Sequence, residues 1–179
     1  MNISKIKYSA QELMAKARQI TNIVDVADMD IEERLERMLS SLNNEAQLSV
    51  VGAKAMEGGL LRVLCNRLYM KRDFKRHPEI RQQKIVRPVF LTGSPRTGST
   101  KLHKMLAASG DFLYLKGWHG FSLSLRTGDR NENADNRIAD SDNYAQWLID
   151  HAPYAKAIHE YATFEAEEDS LILEHCLHA

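Results

Sequence analysis

The chain has 179 residues, of which 44% are hydrophobic and 27% charged, an ordinary balance for a globular protein. Its 24 basic and 24 acidic residues cancel, which excludes a global field drawing it to nucleic acid or to an anionic membrane surface. No run approaches the ~20 apolar residues that span a bilayer, and Met1 to Tyr8 lacks the apolar core of a secretory signal. A cytoplasmic protein with no transmembrane segment and no nucleic-acid partner is expected. Cys65 and Cys176 lie far apart without metal-ligand spacing, and are expected to be free thiols.

Residues 1–84 predict a helical region. Ser9-Ala10-Gln11-Glu12 is a capping-box pattern, followed by Leu13, Ala17 and Ile20 at helical spacing. Asp30-Ile31-Glu32-Glu33 is a second box, ahead of the stripe Leu35, Met38, Leu39 and Leu42. Leu60, Leu61, Leu64 and Leu68 carry the period on to Tyr69, while Gly52, Gly58 and Gly59 are expected to break or bend the earlier part. His77-Pro78 marks a boundary, because the residue before a proline is pushed out of the helical region.

The character changes at Arg87. Pro88-Val89-Phe90-Leu91 is apolar without alternation, which suits a parallel strand covered on both faces. A Gly-rich turn follows, then a helix from Ser99 to about Ser109 with Leu102, Met105 and Leu106 facing inward. Phe112-Leu113-Tyr114-Leu115 would be the second strand of a βαβ unit. The expected fold class is therefore α/β over residues 85–179, a P-loop-type parallel sheet flanked by helices. Farther on, Thr127 to Asn136 reads as an exposed loop. Ser141 or Asp142 would cap a helix carrying Tyr144, Trp147, Leu148 and His151. Glu165 to Asp169 would be the acidic start of a last helix. Ser170 to Leu177 reads as an apolar helix still in progress, so the expectation is an incomplete domain.

The turn carries the chemistry. Gly93-Ser94-Pro95-Arg96-Thr97-Gly98-Ser99-Thr100 would present backbone N–H groups at a helix N-terminus, where the dipole favours an anion. Gly93 and Gly98 let the backbone approach closely, Ser99 and Thr100 add hydroxyls, and Arg96 adds a forked cation suited to phosphate or sulfate. The Gly-x-x-x-x-Gly spacing matches the start of a Walker A loop, but Ser99 stands where a nucleotide hydrolase needs Lys. The bland reading is a turn that only joins strand to helix.

Pro95-Arg96-Thr97-Gly98-Ser99-Thr100, with Leu102-His103 after it, resembles the donor loop of bacterial sulfotransferases and, more distantly, that of tyrosylprotein sulfotransferases. Further segments resemble that family in order: Asn66-Arg67-Leu68, His77-Pro78-Glu79-Ile80, Trp118, Asp135-Asn136-Arg137-Ile138-Ala139, His159, Glu167-Glu168, and Leu171 through His175. The resemblance covers most of residues 60–178. It implies transfer of a sulfuryl group from 3′-phosphoadenylyl sulfate (PAPS) to a hydroxyl or amine, with no metal. Residues Gly93 to Thr100 would bind the donor, and Arg96 would stabilise the charge that develops. The family's carboxylate base has no counterpart after Trp118, where His119 stands instead. His119 is therefore the first candidate base, with Glu167, Glu168 and His159 as alternatives. The chain matches only the family's N-terminal portion, whose second half would supply the grip on the 3′-phosphate, so it is expected to be inactive alone. The acceptor, whether a small molecule, glycan, lipid or peptide, is not readable, nor is the oligomeric state. Two other classes stay open. A P-loop hydrolase or kinase would need a Mg²⁺-holding Asp at a strand end, and none is visible; a non-catalytic anion-binding module would need no base.

Overall fold

A computed structural model describes residues 7–25, 29–94, 96–159 and 161–177. Its helices are α1 (Ala10–Thr21), α2 (Met29–Asn44), α3 (Val50–Arg76), α4 (Ser99–Ala108), α5 (Gly117–Phe121), α6 (Asp135–His151), α7 (Ala155–Ile158) and α8 (Ser170–Leu173). Short 3₁₀ turns cover Pro78–Gln82 and Glu174–Cys176. The chain divides into two compact units that interleave in sequence: Met1–Ile80 with Ser124–Glu132 and Leu173–Ala179, and Arg81–Leu123 with Asn133–Ile172.

The first unit is built on α3. Leu60, Leu64 and Leu68 meet Leu13, Met14 and Ala17 of α1, while Ile31, Leu35 and Leu39 supply the buried stripe of α2. Ser9 caps α1 by accepting from Glu12 N at 3.4 Å. The second box falls on Asp30, whose side chain lies outside the described residues. The glycines expected to break α3 do not. Its apolar face packs on α1, and that burial outweighs the ~1 kcal/mol per helical glycine. Helix α3 ends at Arg76 with His77 as its cap, ahead of Pro78.

Polar contacts tie two distant segments to α3. Arg72 donates to the carbonyls of Leu125 and Arg126, the latter at 2.7 Å. Gly128 has φ +76°, and a Cβ there would lie 2.8 Å from Arg76 Nη1. Arg67 donates to His175 O at 2.7 Å, and Asn66 Nδ2 lies 3.0 Å from His175 Nε2. Both cysteines are free, and burial pushes the Cys65 thiol up to about 11.

In the second unit the expected α/β fold with a parallel sheet is not seen. Among the described residues there is no strand. Residues 88–91 and 113–115 run without regular structure, and their side chains face solvent, Phe90 being 77% and Leu113 fully exposed. Apolar, β-branched composition favours a strand only where a neighbouring strand completes the ladder, and no such neighbour is described. Leu102 and Met105 of α4, expected to face inward, are exposed for the same want of a covering layer. Helix α6 begins at Asp135, within the expected loop, and runs through Ser141 without using it as a cap. Ser141 is instead fully buried, with its Oγ 2.6 Å from Tyr161 Oη and 3.1 Å from Thr163 Oγ1. Tyr144 packs on Phe121 and Tyr161. Residues 165–169 are not helical; α8 is a single turn that passes into the 3₁₀ turn Glu174–Cys176.

These contrasts give opposite expectations for two truncations. Leu64→Ala should cost about 2–5 kcal/mol of stability in urea unfolding, whereas Phe90→Ala should change it by less than about 0.5 kcal/mol. A large loss for Phe90→Ala would mean that this side chain is buried.

Candidate functional site

The Gly-rich turn turns back on itself through two residues in the left-handed region, Arg96 (φ +66°) and Gly98 (φ +91°). Gly98 is suited to that conformation, while Arg96 adopts it at a steric cost that most non-glycine residues avoid. Thr97 Oγ1 donates to Ser94 O at 2.7 Å and fixes the bend. Pro95 lies outside the described residues. Gly98 is the N-cap of α4, and no side-chain hydrogen bond caps the helix there. The first-turn N–H groups at Thr100 and Lys101 thus lack the usual Ser, Thr or Asp acceptor at the cap position. Arg96 Nη1 donates to the carbonyl of Ile158, which joins the loop to the end of α7.

A second structure brings more residues to this region. Trp118 N donates to Thr163 O at 3.1 Å, Gly117 N to Glu165 O at 3.1 Å, and Glu167 N to Leu115 O at 3.2 Å. Lys116 and Ala166 form an antiparallel bridge at the centre of this clasp. Gly117 is required there, since a Cβ would stand 2.5 Å from Ala162 O. Lys104 of α4 pairs with Glu165, so the helix behind the loop is tied to the same segment. This ion pair joins residues far apart in sequence and had no local signal.

Within the clasp, His159 Nε2 lies 2.8 Å from Glu167 Oε1, and Glu168 N donates to that same oxygen at 2.9 Å. The Glu167 side chain is 7% exposed and that of His159 36%. His159 Nδ1 is 3.8 Å from Glu168 Oε1, beyond hydrogen-bond distance. A buried carboxylate that accepts from one ring nitrogen leaves the other to act on a substrate.

His119 is placed differently. Its Nδ1 accepts from Lys116 N at 3.1 Å, which closes the first turn of α5, and its ring lies 3.9 Å from that of Trp118. Arg137 stands over the other ring, 4.9 Å from the Trp118 centroid. Burial, helped by the charges of Lys116 and Arg137, lowers the His119 pKa from 6.5. The nitrogen that could accept a proton is thus engaged in holding the backbone. His103 is half-buried on α4. Asn66 and Arg67, which entered the sequence resemblance, belong to the other unit and hold His175. Among the described residues no group of three or more His, Cys, Asp or Glu could hold a metal ion, and no helix is long and apolar enough to cross a membrane.

No family model and no curated protein matches the chain. Two solved structures do. The sulfotransferase STF1 from Mycobacterium tuberculosis H37Rv is 27% identical, with a TM-score of 0.71 over 98% of this chain and 49% of its own. The sulfotransferase STF9 from Mycobacterium avium is 19% identical, with a TM-score of 0.74 over 99% of this chain and 45% of its own. The chain thus has the fold of part of a mycobacterial sulfotransferase, and spans about half the length of these two structures.

Two outcomes test this geometry. Gly117→Ala should open the clasp and speed amide hydrogen exchange at Trp118 and Glu167 by about tenfold or more; unchanged protection would refute the packing described. His119 should make stability depend on pH. Its folded pKa lies below the unfolded value, so its contribution is complete above 6.5 and is lost as pH falls through the folded value. Thermal melts across that range should show a shallower acid decline for His119→Asn than for the unsubstituted chain.

Proposed function

We propose that the chain is the donor-binding part of a PAPS-dependent sulfotransferase. The observation that carries this reading is the loop at α4, an N-terminus without a side-chain cap and with an arginine in mid-loop. The likeness to STF1, a sulfotransferase, supports reading that loop as a sulfuryl-donor site. The residues fit the 5′ end of the donor: Gly93, Ser94 and Thr97 shape the turn, with Pro95 between them in sequence. Gly98, Ser99 and Thr100 offer amides and hydroxyls to the anion. Arg96 exchanges the Ile158 carbonyl for a phosphate or sulfuryl oxygen, a stronger charge-assisted partner. PAPS would supply an activated sulfuryl group whose transfer needs alignment and charge stabilisation more than covalent help from the protein. No metal is needed for this role.

His119 is the weaker choice of base, because its Nδ1 already accepts a backbone N–H. A grip on the 3′-phosphate is not identified among these residues, and the exposed side chains of Ile85, Val86, Phe90 and Leu113 leave apolar surface uncovered. Both features support a requirement for further polypeptide, of the kind that the unmatched half of STF1 represents, before transfer occurs. The acceptor is a hydroxyl or amine of unassigned class.

Arg96→Ala should weaken binding of 3′-phosphoadenosine 5′-phosphate (PAP) by about tenfold or more, while the melting temperature stays within a few degrees. Unchanged affinity would remove Arg96 from the site. The purified chain should show no PAPS-dependent transfer to a phenol, and measurable turnover would contradict the need for further polypeptide.

A further inference from the structure

Resting on that donor-binding reading, we propose that His159, not His119, takes the proton of the acceptor, through Nδ1, and that Glu167 positions its ring. The two histidines differ in which nitrogen the fold has engaged. At His119 it is Nδ1, held by Lys116 N, and the ring closes a helical turn. At His159 it is Nε2, 2.8 Å from a carboxylate that is itself almost fully enclosed and anchored by Glu168 N. A carboxylate accepts only, so the neutral ring carries its proton on Nε2 and keeps its lone pair on Nδ1. The His159 side chain is 36% exposed, so it is open to solvent and to a substrate.

Position adds a second argument. His159 follows Ile158, whose carbonyl holds the guanidinium of Arg96. The group that would meet the donor's anion and the group that would take the proton are therefore carried by neighbouring backbone. In the transfer, the acceptor oxygen forms its bond to sulfur as the bond from sulfur to the 5′-phosphate oxygen breaks. The electron pair leaves with PAP, and the acceptor's proton passes to His159 Nδ1. Glu167 at Nε2, and Glu168 3.8 Å from Nδ1, offset the charge that the ring then gains.

The test uses the whole chain with nitrogen-15-labelled histidine and PAP as the probe. Once titration has brought the ring to its neutral form, NMR should find the His159 proton on Nε2. Glu167→Ala should abolish that preference, and Glu167→Gln, which still offers an acceptor oxygen, should retain it. Diethyl pyrocarbonate should modify His159, and saturating PAP should slow that modification by about tenfold, as expected of a ring beside the bound donor. Proton occupancy on Nδ1, or a modification rate that bound PAP leaves unchanged, would overturn the proposal while the donor-binding reading stands. Failure of the unsubstituted chain to bind PAP would sink both together.

Discussion

Three backbone hydrogen bonds, from Trp118, Gly117 and Glu167 to the carbonyls of Thr163, Glu165 and Leu115, hold residues 163–167 alongside residues 115–118. The candidate site depends on this short clasp. It seats Glu167 in a buried position, from which the carboxylate reaches His159, and it places Glu165 where Lys104 can bind it. Because α4 carries both Lys104 and the Gly-rich loop, the clasp also fixes where the helix N-terminus lies relative to the His–Glu pair. The device is cheap in residues and intolerant of change, since Gly117 has no room for a Cβ.

The loop shows a complementary constraint. An uncapped helix N-terminus and a left-handed arginine both carry a free-energy cost in an isolated chain. Features of that kind persist where a ligand repays them, and an anion held by Arg96 and the α4 amides would do so. The Ile158 carbonyl holds the guanidinium here, so binding of an anion by Arg96 would be an exchange of one acceptor for a stronger one. Arg96 and His159 are therefore joined through a single backbone link, the carbonyl of Ile158.

Much of the first unit was legible in the sequence, because its helices follow local rules. The hydroxyl of Ser9, the Leu60–Leu64–Leu68 stripe and the break at His77-Pro78 act over a few residues each. Helix α4 was legible for the same reason. The expected sheet failed because strand pairing is a property of two segments, and composition at Val89–Leu91 says nothing about whether a partner stands beside it. Helix α6 was misplaced because its start at Asp135 lacks a side-chain cap, so the stronger capping signal at Ser141 drew the boundary inward. At the candidate site, the loop could be singled out from its glycine spacing, its arginine and its family resemblance. The choice among His119, His159 and Glu167 could not, since it turns on which ring nitrogen meets a backbone N–H and which meets a carboxylate.

A crystal structure of the chain with PAP bears most directly on the central claim. The 5′-phosphate should lie within hydrogen-bond distance of the Ser99 and Thr100 amides, with Arg96 turned from Ile158 O onto its oxygens. PAP bound elsewhere, or bound at the loop with Arg96 still on the Ile158 carbonyl, would contradict the account.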